Sequence, residues 1–198
     1  MYNNILCSKF AEMEYLRVIS GTAKGTKLVT LSGDDVIRPT TDRVKESVFN
    51  IIQFNVKGAN ILDIFCGSGA LGIEALSRGS SFCCFVDSNR DSLKIAENNI
   101  KKAHVEAYSK LIKADFRDFF STNTKKYDII FADPPYAAGF LKEFVTKIEK
   151  YGALQRDGIL IFEAPQEIEP YKGEKLAPYR IASYGKTQVI FYRYMESE

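Results

Sequence analysis

The stretch Ile61-Leu62-Asp63-Ile64-Phe65-Cys66-Gly67-Ser68-Gly69-Ala70-Leu71-Gly72 reads as a strand, a tight glycine turn and the start of a helix. Glycine lets the backbone turn sharply and lets a ligand approach with no Cβ in the way. The first turn of the helix supplies N–H groups that have no partner within the helix. A sharp strand-to-helix turn wants glycine whatever its purpose, so this segment alone is either a bare turn or a ligand cradle. Downstream the alternation repeats. Phe82 to Val86 is a strand ending at Asp87, Arg90 to Lys102 a helix, Ser109 to Lys113 a strand and Phe116 to Ser121 a short helix. Tyr127 to Ala132 is a strand, Ala138 to Tyr151 a helix and Gly158 to Glu163 a strand. Strands alternating with helices predict an α/β fold with a doubly wound parallel sheet covered on both faces. Tyr179 to Ser183 and Gln188 to Tyr194, joined by Tyr184-Gly185-Lys186-Thr187, read as an antiparallel hairpin on the sheet edge. That makes seven strands.

Acids stand at the strand ends. Asp63 precedes the glycines, where a dinucleotide pyrophosphate would be repelled. A ligand carrying an ammonium group and a positive sulfur wants that carboxylate, which favours S-adenosylmethionine over a nicotinamide dinucleotide. Asp87, about twenty residues beyond the turn, suits a ribose diol, or is a solvated loop acid. Asp115 can accept from an adenine amine with Phe116 flanking the ring, or can cap the short helix. All three lie where open α/β sheets bind ligands, at the carboxyl ends of strands.

The corner Asp133-Pro134-Pro135-Tyr136 follows the apolar run Tyr127-Asp128-Ile129-Ile130-Phe131-Ala132. Proline has no N–H, so the corner is rich in acceptors and poor in competing donors. Tyr136 adds a flat face for stacking a base. The set is suited to holding a planar exocyclic amine.

Composition narrows the setting. The chain has 198 residues, with 27 Lys and Arg against 25 Asp and Glu, a formal charge of +2. So small an excess does not announce a nucleic-acid binder, and any basic surface has to be local. No apolar run approaches the length of a membrane span, and the first residues lack the layout of a secretory signal, which predicts a cytoplasmic protein. Four cysteines without a CxxC pair and a single histidine, His104, make a zinc site a poor expectation.

Leu16 to Val29 reads as a short hairpin around Gly21 and Gly25. Arg38-Pro39-Thr40 opens a helix whose buried stripe is Val44, Val48, Ile51 and Ile52. Residues 1–12 read as an extension with no assigned role, 13–57 as a hairpin-and-helix unit, and 58–198 as the main domain. Arg17, Lys24, Lys27, Arg38, Arg43 and Lys45 are the candidates for phosphate contacts.

These residues resemble the class I S-adenosylmethionine-dependent methyltransferases, with their Rossmann-like sheet, and among them the enzymes acting on exocyclic base nitrogens. The segment Leu16-Arg17-Val18-Ile19-Ser20-Gly21, the segment Arg38 to Glu46, the glycine turn and the DPPY corner together are similar to the bacterial small-subunit rRNA guanine-N2 methyltransferase family, which modifies guanine 966 of 16S rRNA. The resemblance covers about Tyr15 to Tyr194. It implies that Asp63, Phe65, Gly67 and Gly69 line the methionine moiety, Asp87 and Ser88 the ribose, and Asp115 with Phe116 the adenine. It implies that Asp133, Pro134, Pro135 and Tyr136 hold the target guanine, that the hairpin contacts rRNA, and that the substrate is 16S rRNA within the small subunit or an assembly intermediate; a monomer is the default expectation. Three rivals share parts of the pattern. A DNA adenine-N6 methyltransferase also suits DPPY, although this chain has no separate target-recognition domain. A protein-glutamine methyltransferase typically has Asn at the first position of the corner. A non-catalytic RNA-binding module would have lost the glycines and acids that are intact here.

Overall fold

The computed structural model describes residues 16–30, 42–135 and 137–196. Two two-residue strands, β1 (Leu16–Arg17) and β2 (Lys27–Leu28), pair antiparallel as a small hairpin. Helix α1 (Asp42–Ile51) follows. The opening of that helix at Arg38-Pro39-Thr40 lies outside the described residues. Then come β3 (Asn60–Ile64), α2 (Ala70–Ser77), β4 (Phe82–Asp87), α3 (Arg90–Lys102), β5 (Ser109–Lys113), α4 (Phe116–Thr122), β6 (Tyr127–Ala132) and α5 (Ala137–Tyr151). The chain ends in β7 (Leu154–Pro165), β8 (Leu176–Tyr184) and β9 (Thr187–Tyr194).

The main sheet has seven strands in the order β5-β4-β3-β6-β7-β9-β8. The first five positions are parallel, and β9 joins antiparallel between β7 and β8. After β3 the chain steps outward through β4 and β5, then returns to lay β6 on the other flank of β3. This reversal opens a crevice at the carboxyl ends of β3 and β6, the position at which open α/β sheets receive ligands.

Side chains alternate across each strand and build two cores. Ile61, Phe85, Ile129, Phe131, Ile161 and Phe191 face α1, α2, α3 and the hairpin. Leu62, Val86, Ile130, Leu160, Phe162 and Tyr192 face α4 and α5, where Phe119, Phe120 and Phe144 fill the layer. The hairpin residues Leu16, Val18 and Leu28 belong to the first of these cores, so this unit is packed against the sheet's own helices. Helix α2 lies unusually close to β4. A Cβ on Gly72 would sit 2.3 Å from Phe85 Cε1 and 2.6 Å from Cys83 Sγ, which only glycine avoids.

Candidate functional site

The glycine turn begins with strain. Phe65, the residue after β3, lies in the left-handed region at φ 64, which bulky residues avoid. Its ring is held by Phe116, Phe144 and Phe140 at centroid distances of 5.4, 5.9 and 6.1 Å. A non-glycine residue in this region costs about 1–3 kcal/mol, and persists where packing over-determines it. Gly69, at φ 77, is the N-cap of α2 and gives that helix no side-chain cap. In the first turn of α2 the Gly72 N–H donates to Asp63 Oδ2 at 2.9 Å.

Three of the expected acids converge here. Asp63 is 3% exposed. Burial first, and then the charges of Asp133 and Asp87, push its carboxyl up to about 8 against the opposing pull of the Gly72 N–H. Asp87 Oδ2 accepts from the Gly67 N–H at 2.9 Å and its Oδ1 from the Asn89 N–H at 2.8 Å. Ser88, beside it, is exposed. The ends of β3, β4 and β6 thus bring Asp63, Asp87 and Asp133 into one electrostatic neighbourhood, in which the charges of Asp133 and Asp87 both bear on Asp63. An electron-poor, cationic ligand group is what that neighbourhood favours.

Asp115 caps α4 by accepting from the Arg117 N–H at 2.9 Å. The guanidinium of Arg117 lies 4.4 Å from the centre of the Phe116 ring and is held by Glu143 at 2.7 Å. Phe116 itself is 2% exposed and is part of the second core. The helix cap, one of the two readings for Asp115, is thus present, and Arg117 covers the Phe116 ring.

At the end of β6, Pro134 is buried and Pro135 exposed, while Tyr136 lies outside the described residues. Asp133 lines a small pocket with Glu163, walled by Val48, Leu71 and Val189. Glu163 ends the apolar run of β7 as Asp133 follows that of β6. It was not among the expected site residues, although an acid closing an apolar strand at that level is a readable signal.

The basic residues divide. Arg17, Lys24, Lys27 and Arg43 are exposed. Arg17 and Lys24 border an open groove of about 560 Å³ between the hairpin and α1, together with Asn50 and Arg78. Arg17 is also bound to Asp42, Nε to Oδ2 at 3.1 Å. Arg38 lies outside the described residues. Lys45 contradicts its expected phosphate role, because it is fully buried. Its Nζ donates to the Arg17 carbonyl and lies 3.4 Å from Glu74 Oε2. Burial lowers its pKa, against the opposing pull of Glu74 and Asp42. Lys45 falls on the inner face of α1 next to Val44, Val48 and Phe49, so it reaches the core and not solvent. Its partner Glu74 also accepts from the N–H groups of Ile19 and Ser20 at 2.7 and 3.0 Å and from Arg78 Nε at 2.7 Å. This acid on α2 pins the hairpin to the helix that starts at the glycine turn. Its place in the apolar run Ala70-Leu71-Gly72-Ile73-Glu74-Ala75-Leu76 was the available hint.

A family model described as "Conserved hypothetical protein 95" matches residues 16–193. "Putative rRNA methyltransferase YlbH" of Bacillus subtilis (strain 168) is 38% identical over 182 residues, covering 90% of this chain and 98% of its own. "Ribosomal RNA small subunit methyltransferase D" of Escherichia coli (strain K12) is 32% identical over 154 residues, covering 77% of this chain and 76% of its own. The solved structure of "Putative methyltransferase yhhF" from Escherichia coli superposes with a TM-score of 0.81 at 28% identity, over 92% of this chain and 99% of that one.

Proposed function

This chain belongs to the Conserved hypothetical protein 95 family, and from that premise we propose that it methylates ribosomal RNA, using S-adenosylmethionine, on the exocyclic N2 of a guanine in the small-subunit 16S rRNA. Relatives named as ribosomal RNA methyltransferases support the reaction class, and those named for the small subunit support the choice of rRNA. The observation that carries the reading is the meeting of two strand ends: the acceptor-rich Asp133-Pro134-Pro135 corner after β6 opens beside the glycine turn after β3. We infer a monomer that meets its target in the small subunit or a precursor of it, in the cytoplasm where ribosomes assemble.

The residues present fit the cofactor. A buried acid whose pKa is raised to about 8 by burial and by two neighbouring acids is relieved by a cation, and α2 starts at Gly69 without a side-chain cap, where the N–H groups of a helix's first turn have no partner within the helix. Asp63, Phe65, Gly67 and Gly69 would hold the aminoacyl end. Asp87 and Ser88 would hold the ribose through lone pairs that Asp87 does not already commit, since a carboxylate has about four acceptor sites. Asp115 and Phe116 would border the adenine. The cofactor, when bound, supplies an electrophilic methyl group on a cationic sulfur.

The chain's own work is to orient the base. Guanine N2 is a poor nucleophile because its lone pair is delocalised into the ring. The Asp133 carboxylate and the Pro134 carbonyl accept its two N–H bonds, draw the nitrogen toward a pyramidal shape and aim the lone pair out of the ring plane. Positioning of this kind is worth roughly 7–11 kcal/mol in favourable intramolecular cases. No strong base is needed, because the methylated aminium is very acidic, and Asp133 is placed to accept the proton late. The base has to leave its stack first, and Tyr136 supplies the face that holds it, worth about 1–3 kcal/mol.

The test is incubation with methyl-labelled cofactor and, separately, small ribosomal subunits, naked 16S rRNA and duplex DNA, followed by nucleoside mass spectrometry. N2-methylguanosine from the RNA is the expected product. Label appearing only as N6-methyladenine in DNA would overturn the reading.

A further inference from the structure

The corner at Asp133 holds an amine, but an amine is common to guanine, adenine and cytosine. What separates the three is the ring atom beside it. In guanine the neighbour of N2 on the pairing edge is N1–H, a donor. In adenine the neighbour of N6, and in cytosine the neighbour of N4, is a ring nitrogen with a lone pair, an acceptor.

The strand register places a second acid at that point. Ala132 of β6 pairs with Phe162 of β7, so Asp133 and Glu163 stand side by side at the same level of two parallel strands, which run about 4.8 Å apart. Alternation puts them on one face as well. Phe131 and Ile161 both belong to the core under α1 and α2, and the residues two further along, Asp133 and Glu163, line the same small pocket. Among the described residues the pocket's other walls are apolar, with Val48 from α1, Leu71 from the first turn of α2 and Val189 from β9. Two neighbouring carboxylates match two adjacent donors on one edge of a flat ring. They would repel the donor-acceptor edge of adenine or cytosine.

Building on the guanine reading above, we propose that Glu163 is the specificity-determining residue, accepting the N1–H of the target guanine while the Asp133 corner holds N2. Asp133 selects an amine, and Glu163 selects the base that carries it. A site built to accept a donor rejects an analogue that presents an acceptor at the same point far more strongly than an apolar pocket does, because a lone pair then faces the carboxylate.

The experiment compares three target RNAs, with guanine, 2-aminopurine or adenine at the modified position, using the wild-type chain and Glu163→Gln. 2-Aminopurine keeps the N2 amine but carries an acceptor at N1. The wild type is expected to prefer guanine over 2-aminopurine by at least about 100-fold in kcat/KM. Glu163→Gln is expected to lose most activity on guanine and to narrow or invert that ratio, because a glutamine amide donates to the bare N1. Loss of the 6-oxo group is the same for both proteins and cancels in the ratio. Cofactor affinity, measured by calorimetry, should be unchanged and serves as the folding control. A wild type that methylates guanine and 2-aminopurine equally well overturns the proposal while leaving the guanine-N2 reading intact, whether or not the variant folds. A variant that loses activity on both bases in equal proportion overturns it too. A wild type inert on guanine in every rRNA substrate removes the reading itself and this inference with it.

Discussion

Two buried acids of this molecule have opposite surroundings. Glu74, on α2, is fully buried and meets Lys45, Arg78 and the N–H groups of Ile19 and Ser20. Asp63, at the end of β3, is almost as buried, receives the Gly72 N–H and is crowded by the charges of Asp87 and Asp133. The first acid is compensated from within the chain, as a structural group has to be. Among the described residues the charges that bear on the second are of its own sign, so a cation that arrives would compensate it. Burial depth does not distinguish them; the sign of the neighbouring charge does.

The largest effect should come from disturbing the compensated acid. Glu74→Gln leaves the Lys45 ammonium buried without its counter-charge, and breaking such a pair on one side costs about 3–5 kcal/mol. Urea denaturation should show that loss. Replacing both partners, with Lys45→Met added, should recover part of it, although the ties to Ile19 and Ser20 stay weakened. A single variant within 1 kcal/mol of the wild type would mean that the cluster is ornamental.

Asp133 separates binding from transfer at the other end of the comparison. Asp133→Ala should lower kcat by about 1,000-fold or more, since orientation is the main contribution of that corner. Cofactor affinity should stay nearly intact, because Asp133 acts on the base and reaches Asp63 only as a neighbouring charge. Calorimetry and methyl incorporation falling together would contradict that division of labour.

Asp63 gives a pH signature of the opposite kind to a paired acid. Its folded-state pKa is raised, from 3.8 to about 8. Between those values the folded chain keeps a proton that the unfolded chain has released, so this group's contribution is full below about pH 4 and is lost as pH rises to about 8. Asp63→Asn should flatten that part of the stability curve, making the variant relatively more stable at alkaline pH. The same proton should leave when a cationic ligand binds beside it. Calorimetry at pH 6.5 in buffers of different ionisation enthalpy should therefore show close to one proton released by the wild type and none by the variant. Equal release from both would place the cation elsewhere.

Much of this was readable from the chain, and the gaps have physical causes. The strands from β3 to β6 and their helices follow from apolar runs broken by glycine and acid, and the span of α3 agrees to the residue. The three acids could be grouped because a parallel sheet collects its carboxyl ends on one side. The order of the last two strands could not be read from the hairpin, because periodicity says nothing about which strand lies inside. The clue was composition: Val189 to Tyr192 is apolar throughout and buried, whereas β8 exposes Tyr179, Arg180 and Ile181 as an edge strand can. β7 also starts earlier than its apolar run suggests, at Leu154, with an irregularity against β6. Lys45 was misassigned because its partner is 29 residues away on another helix, and a lysine read singly looks like surface.

The smallest expected effect sets two lysines against each other. Lys24 borders the groove beside the hairpin and is exposed, whereas Lys45 spends its charge inside the protein. A lysine that neutralises one RNA phosphate releases condensed counter-ions, so Lys24→Gln should lower the slope of log affinity against log salt by about 0.7–0.9. Affinity at a single salt concentration would change little, which is why the slope is the quantity to measure, by fluorescence anisotropy with a 16S rRNA fragment. Arg43→Gln should behave in the same way if the RNA also crosses α1, and the double variant should then double the change, because separate phosphate contacts add. The Lys45→Met, Glu74→Gln pair, provided it folds, should leave the slope where it was. A slope that moved with the buried pair and not with Lys24 would put the RNA on a different face of the hairpin.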